Sequence, residues 1–500
     1  MNAATGVLRE HRAVILVILL FTAARLATAP FFELGVDEAH YLLYAKHLDL
    51  SYFDHPPLVG WVHALVYYTL GSSEFLARIP AIIISAFISI LCYRFVLQNA
   101  SPEEAAYATL ALNSSFMFGA LGIGLLPETV LLPILFLILF SVQNLEKNGN
   151  SRAYLQLGIV LGLAGLSKYT AILFVPAIVI YLLLQRRTDI LRNPRLAITL
   201  MVALAVISPV IIWNMKNDFI SFKYQGEHVA GGQGMRLSSL FQSVGAQFLA
   251  YGPPLFCMAF FGFIQSIRTC YERMKLPLLL GGVPLVFFLY ASLYKRALPH
   301  WNASFFLLFI PIGTVLLHRS ESAKTRRMCA FAVWFSVILS LALHVELAFK
   351  YIRFPDYKSP FRDIYGVSAA VQKANGILAG DIPSGKHKAL AVTNWSQASR
   401  VLYYSAPFGS EVFLADKRRD QFYLWQLHEP LGYDLLFINT HFYKRDIRKE
   451  YQCSAVEEAG TYDVELRGGK VDTISYVWCR NYQGFGAQSP APQTHRQVSR

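Results

Sequence analysis

The sequence predicts a polytopic α-helical membrane protein of about 11 spans, followed by a small C-terminal α/β domain. Three observations predict it. Of the 500 residues, 54% are hydrophobic and only 15% are charged, against about a quarter charged in ordinary soluble domains. The apolar residues fall in long uninterrupted runs, which only a hydrocarbon layer or a deep core accommodates. After Lys350 the composition changes to short alternating segments with turn residues between them.

A first span covers 13–29 and ends at Pro30. Arg9 and Arg12 precede it in the manner of a signal peptide, but no small-residue cleavage site follows and more spans do, so a retained helix is expected. Residues 30–57 contain Glu33, Asp37, Glu38, His40, Lys46, His47, Asp49, Asp54 and His55. Such a segment does not face lipid, and it reads as a structured first extracytoplasmic loop. Residues 57–70 read as an interfacial helix. Further apolar runs cover 76–97, 105–123, 127–143, 153–167, 169–185, 196–212, 240–265, 277–294, 303–318 and 328–348. Several are shorter than the roughly 20 residues of an untilted crossing.

The net charge of +13 fits a nucleic-acid binder in magnitude but not in position. Arg186, Arg187, Arg192 and Arg195 share one connection between apolar runs, and Arg319, Lys324, Arg326 and Arg327 share another. This is the cytoplasmic-loop bias of a membrane protein, so no nucleic-acid partner is expected. With those loops inside, the Asp37 loop, the Pro127-Glu128 turn, 213–239 and 295–302 fall together on the outer face.

The expected organisation is a transmembrane domain over 1–349, an extracytoplasmic α/β domain over 350–482 and a disordered tail over 483–500. Strands are expected near 389–392, 411–415 and 434–439, with helices near 397–404 and 420–427. Cys453 and Cys479 can pair if that domain lies in an oxidising compartment.

Each polar constellation has two readings. Asp37 and Glu38 either share a perturbed proton and do acid–base chemistry, or begin a helix with Asp37 capping its backbone N–H groups. Asp54 and His55, fixed by Pro56 and Pro57, either hold a head group or form a rigid interfacial turn. Lys46, Arg78, Lys168, Lys295 and Arg296, with His300 close by, either meet a lipid-linked phosphate or anchor helix ends by snorkelling. Lys168 interrupts an apolar stretch and is the more suggestive of these. Glu128 either contacts a ligand or caps its helix. Trp213-Asn214 opens a polar loop that either covers a site or connects two helices. Arg418, Arg419 and Asp420 precede the aromatic stretch 421–425, giving either a functional patch or ordinary surface charge. Walker, HExxH, dinucleotide and nucleophile-elbow motifs do not occur.

In order, Asp37-Glu38-Ala39-His40-Tyr41, Tyr52-Phe53-Asp54-His55-Pro56-Pro57, Pro127-Glu128, Gly165-Leu166-Ser167-Lys168-Tyr169 and Trp213-Asn214 resemble bacterial members of the dolichyl-phosphate-mannose protein mannosyltransferase superfamily. This is the polytopic GT-C glycosyltransferase class that includes the aminoarabinose transferases of lipid A. The resemblance covers roughly residues 10–350, and the first two motifs carry most of it. It implies a GT-C fold and transfer of a sugar from a polyprenyl-phosphate donor to lipid A or another envelope acceptor, at the outer face of the inner membrane. It also implies that Asp37 is the catalytic carboxylate, assisted by Glu38, and that Lys46, Arg78 and Lys168 meet the donor phosphate. Tyr41, Asp54, His55, Glu128, Asn214, Arg296 and His300 would line the substrates. Relatives often carry Asp where Glu128 stands, and the resemblance leaves a divalent cation at the phosphate open. Protein O-mannosylation, a lipid-linked sugar transporter and a non-catalytic lipid-binding partner are the competing functions.

Overall fold

The computed structural model describes residues 11–230, 234–269, 272–381, 386–418 and 420–486. Arg9, Arg419 and the tail beyond 486 therefore lie outside the described residues. The chain forms two compact units, one from Met1–Pro30 with Leu48–Val345, the other from Phe31–His47 with Glu346–Arg500.

The first unit is helical. Among the described residues, seven helices are long and apolar enough to cross a membrane: Arg12–Phe31, Glu74–Leu97, Pro127–Asn148, Leu196–Lys216, Arg273–Ser292, Pro299–His318 and Ala323–Phe349. The pair Leu237–Tyr251 and Pro253–Thr269, bent by 109°, supplies an eighth if it is one span. This is a multi-pass membrane protein, with fewer full-length helices than the about 11 spans expected. The difference lies in broken runs. Residues 105–123 divide into Pro102–Asn113 and Phe116–Leu121. The expected runs 153–167 and 169–185 stay two short pieces, Ser151–Ser167 and, after a 3₁₀ turn at Tyr169–Leu173, Phe174–Leu184.

Hydrophobic burial does not hold helices together in lipid, so close contact between small residues matters more. The Ser151–Ser167 helix presents Gly158, Gly162 and Gly165 at helical spacing to the Leu196–Lys216 helix. A Cβ at Gly162 would sit 2.5 Å from Val206 Cβ, and one at Gly158 would sit 2.7 Å from the Thr199 carbonyl oxygen. Thr199 Oγ1 then donates 2.8 Å to the Tyr154 carbonyl, tying the same pair. Buried polar groups find partners on neighbouring helices: the Arg25 guanidinium donates 3.1 Å to Asn113 Oδ1, and Asn113 Nδ2 donates 2.9 Å to Ser89 Oγ. The opposite faces are apolar and exposed, as at Leu200, Met201 and Leu204, which suits contact with lipid.

The second unit is built on a five-stranded sheet: β1 (Lys388–Val392), β2 (Val412–Leu414), β3 (Asp434–Thr440), β4 (Ala455–Leu466) and β5 (Gly469–Arg480). The order is β2-β1-β3-β5-β4, with β1 parallel to β2 and β3 and the remaining pairs antiparallel. Alternation with a period of two sends Leu390, Val392, Leu436 and Ile438 to one face and Ala389, Ala391, Leu435 and Phe437 to the other. The first face packs on the helices Val367–Gly380 and Trp395–Ser405, and Leu43 joins that core. Cys453 and Cys479 form a disulfide. Residues 483–486 remain paired, with Gln483 N–H bonded to the Gln452 carbonyl and Phe485 bridged to Tyr451.

Segment 31–47, read from sequence as a loop of the transmembrane domain, belongs to this second unit. Glu33 accepts the N–H groups of Val367 at 2.7 Å and Ser368 at 3.2 Å, which caps the Val367–Gly380 helix. Leu34 N–H donates to Tyr404 Oη at 3.0 Å. The His40 ring lies among Trp395, Phe422 and Trp425, with Nδ1 3.3 Å from Ser399 Oγ.

Asp420 caps the short Gln421–Trp425 helix through Oδ1, which accepts the Phe422 N–H at 3.0 Å. Its other oxygen is buried without a hydrogen-bond partner. Burial pushes its pKa up to about 6, against the opposing pull of Arg418.

Two predictions follow from this packing. Gly162→Leu should lower the thermal midpoint of the purified protein, since overpacking costs about 1–3 kcal/mol; an unchanged midpoint would show that these helices do not touch there. An acid whose folded pKa is raised binds more protons folded than unfolded, so its ionisation removes stability as pH rises through about 4 to 6. Asp420→Asn should therefore stabilise by up to about 3 kcal/mol near pH 7.5, and by almost nothing near pH 4. Thermal melts at both pH values check this, and an equal gain at each would remove the titration as its cause.

Candidate active site

Two groups of polar side chains stand out, one in each unit. In the second unit, Gly35 adopts extended backbone and starts the helix Val36–Lys46. Asp37 and Glu38 occupy its first turn, where negative charge meets the positive end of the helix. Glu38 is buried, and its Oε2 accepts the Gly35 N–H at 3.2 Å. The cap that sequence reading offered to Asp37 thus includes a bond to Glu38, while Asp37 is partly exposed. Tyr41 is buried, edge-on to His40 and Tyr44. Lys46 lies half-buried in the last turn, and burial lowers its pKa.

In the first unit, Pro127 opens the helix Pro127–Asn148, which fits its fixed φ and missing N–H. The next residue, Glu128, is buried. Across from it, the Ser151–Ser167 helix ends as Lys168 takes extended backbone. The Lys168 ammonium donates directly to Glu128 Oε1. His300, on the 3₁₀ turn Pro299–Asn302, places Nε2 3.4 Å from the same oxygen. The chain interrupts three apolar segments to assemble this acid–base cluster. A cavity of ≈ 320 Å³ empty volume, open solvent included, lies against it, with Leu131, Phe174, Phe288, Trp301 and Ser304 among its walls. One carboxylate shared by two nitrogen groups can orient both toward an incoming anion.

The loop 48–57 belongs to the same unit. Asp54 Oδ2 lies 3.4 Å from His55 Nδ1, and His55 is within electrostatic range of Glu128. Gln225 Nε2 donates 2.8 Å to the Asp54 carbonyl, and Ser221 Oγ donates 3.0 Å to that of Tyr52. Trp213 Nε1 donates 2.7 Å to Asp49 Oδ2, so the Trp213-Asn214 motif anchors this loop. Asn214 is buried and donates 3.0 Å to the Val210 carbonyl. Arg78 is fully buried and donates to the Ala29 carbonyl, a contact that ties two helices. Arg296 is exposed beside buried Ala297.

The structure therefore brings Glu128, Lys168 and His300 together, with His55 near them. Asp37, Glu38, Tyr41 and Lys46 share a helix in the other unit. Sequence reasoning passed over Trp301 and Ser304 as cavity walls, and Asp49 as the partner of Trp213. Among the described residues, no group of three or more His, Cys, Asp or Glu side chains is arranged to hold a metal ion.

Comparison with known proteins supplies independent bearings. The family described as Dolichyl-phosphate-mannose-protein mannosyltransferase matches residues 54–213. Lipid A galacturonosyltransferase RgtD of Rhizobium johnstonii is 25% identical over 319 residues, covering 61% of this chain and 64% of that protein. The undecaprenyl phosphate-alpha-4-amino-4-deoxy-L-arabinose arabinosyl transferase of Pseudomonas savastanoi pv. phaseolicola is 27% identical over 190 residues, 36% of each chain. The chain thus spans less than two thirds of the length of either relative. The crystal structure of ArnT from Cupriavidus metallidurans bound to undecaprenyl phosphate matches with a TM-score of 0.63 at 14% identity, covering 96% of this chain and 99% of that one. Its apo form matches with a TM-score of 0.62 at 14% identity, covering 95% and 98%. The chain thus has an ArnT-like fold, and its segment 54–213 is similar to the family described as Dolichyl-phosphate-mannose-protein mannosyltransferase.

Proposed function

We propose that the protein transfers a sugar from a polyprenyl-phosphate donor to an envelope glycolipid of the lipid A kind, at the outer face of the bacterial cytoplasmic membrane. The observation that carries this reading is the buried Glu128–Lys168–His300 cluster beside a cavity, in a fold matched by an ArnT structure holding undecaprenyl phosphate. Both sequence relatives are named as sugar transferases, one of them for lipid A. Their names differ in the sugar, and experiment has to fix it here.

In this mechanism an acceptor oxygen attacks the anomeric carbon as the bond to the polyprenyl phosphate breaks. Phosphate is already a competent leaving group, so the protein's task is to stabilise the charge that develops on it. Lys168 and His300 supply that stabilisation, and Glu128 holds both in place. Asp37 takes the proton of an acceptor hydroxyl, with Glu38 fixing the start of its helix. Lys46 and Arg78 are the further candidates for the donor phosphate. Tyr41, Asp54, His55, Asn214 and Arg296 are candidates for substrate contact. The positive-inside loops support an outward-facing 30–57 and C-terminal unit, and the Cys453–Cys479 disulfide supports an oxidising compartment for the latter.

The test is reconstitution of the purified protein in lipid with a polyprenyl-phosphate sugar and lipid A, following release of polyprenyl phosphate. Asp37→Asn should abolish turnover while leaving expression and the thermal midpoint intact; near-normal turnover would exclude Asp37 as the essential base. Lys168→Gln should lower kcat about 100-fold or more, the usual effect of losing a donor to developing charge. Retained kcat in that variant would move the phosphate site elsewhere.

A further inference from the structure

The second unit contains a cavity whose lining residues have no part in the mechanism proposed above. It is lined wholly by residues of that unit, among them Arg362, Asp363, Gln397, Arg400, Tyr443 and Asp472, and its empty volume is ≈ 540 Å³, open solvent included. Gln397 and Arg400 lie one turn apart on the helix Trp395–Ser405 and are 3% and 4% exposed. At that depth a polar atom ordinarily has a partner. Yet both Gln397 Nε2 and Gln397 Oε1, together with Arg400 Nε, are buried without one.

The rest of the Arg400 guanidinium is held. One terminal nitrogen donates 2.7 Å to the Asp363 carbonyl, and the other lies 3.8 Å from Asp363 Oδ1. Arg362 stacks on the Phe442 ring with 3.9 Å from guanidinium carbon to ring centre, which fixes a second cation on the lining. Asp472 accepts the N–H groups of His441 and Thr473 at 2.9 and 2.7 Å.

The unused groups specify a complement. Arg400 Nε and Gln397 Nε2 are donors awaiting acceptor oxygen, and Gln397 Oε1 is an acceptor awaiting a hydroxyl or N–H. We propose that this cavity is a second ligand site, which binds an oxyanion, phosphate or carboxylate, bearing a hydroxyl next to it. Hydrogen phosphate and a uronic acid both have that chemistry. The site lies within one unit and shares no residue with the proposed transfer machinery, so either reading can fail alone.

Calorimetric titration of the full-length protein in lipid nanodiscs, with inorganic phosphate, galacturonate and neutral galactose as separate probes, tests it. At least one of the two anions should bind saturably, and galactose should not. Binding of phosphate would indicate a free or lipid-borne phosphate as the source, whereas binding of galacturonate alone would indicate a sugar carboxylate. Gln397→Leu should weaken that binding by about tenfold or more, the usual weight of a buried hydrogen bond to charge. Because it replaces a side chain with no partner, it should leave the ligand-free thermal midpoint unchanged or higher. Arg400→Lys, which keeps the charge, should also weaken binding, and it serves if the first variant does not fold. The proposal is overturned if neither anion binds saturably, if galactose binds as well as they do, or if the folded variants bind as the parent does.

Discussion

The constraint on which the first unit depends is that a charge taken out of water must be met by a counter-charge or a hydrogen-bonding partner. Glu128 and Lys168 are both buried, and each is tolerable only beside the other. That pairing decides where the helices break. The chain starts one helix at Pro127, ends another at Ser167 and inserts a short turn at His300, so that three segments place their charges together. An apolar sequence without these breaks would span more simply and hold no such cluster. Desolvating these groups costs stability, and it makes their interaction with one another far stronger than it would be in water.

Elsewhere in that unit attraction comes from proximity. The glycines of Ser151–Ser167 let its backbone approach Leu196–Lys216, and Gly262 meets Gly313 in the same manner between Pro253–Thr269 and Ala303–His318. Leu196–Lys216 also carries Trp213, whose indole holds Asp49 and therefore the loop of Asp54 and His55. Helix packing and site geometry are thus linked through one element.

The helical membrane class was legible because apolar length is a strong signal, and so were Lys168 and Glu128, as charges inside apolar runs. The span count was less legible. The break at Ser114-Ser115 does not lower hydropathy enough to announce itself, yet it divides the run 105–123, and the runs on either side of Lys168 form helices shorter than a full crossing. In the second unit β1, β2 and β3 showed through their short continuous apolar runs, buried on both faces. The β4–β5 hairpin did not, because β4 carries several exposed acids along its length. Its signal was the turn, where Arg467 and Gly468 both take positive φ, as a two-residue hairpin loop requires. That Glu128, Lys168 and His300 converge could not be read from spacing, since they come from segments distant in sequence.

The sheet unit is made from two stretches separated by nearly three hundred positions of chain. Glu33, His40 and Leu43 are synthesised when only the first of the long hydrophobic helices, Arg12–Phe31, is complete, while the strands they serve follow all seven. Until then the early helix has no core to enter, and its apolar face must wait or be sheltered. Contacts of such separation are slow to close. Segment 31–47 is thus claimed by chain made nearly three hundred positions later. A fragment beginning after the last long helix would lack the cap that Glu33 supplies and the core position that Leu43 fills.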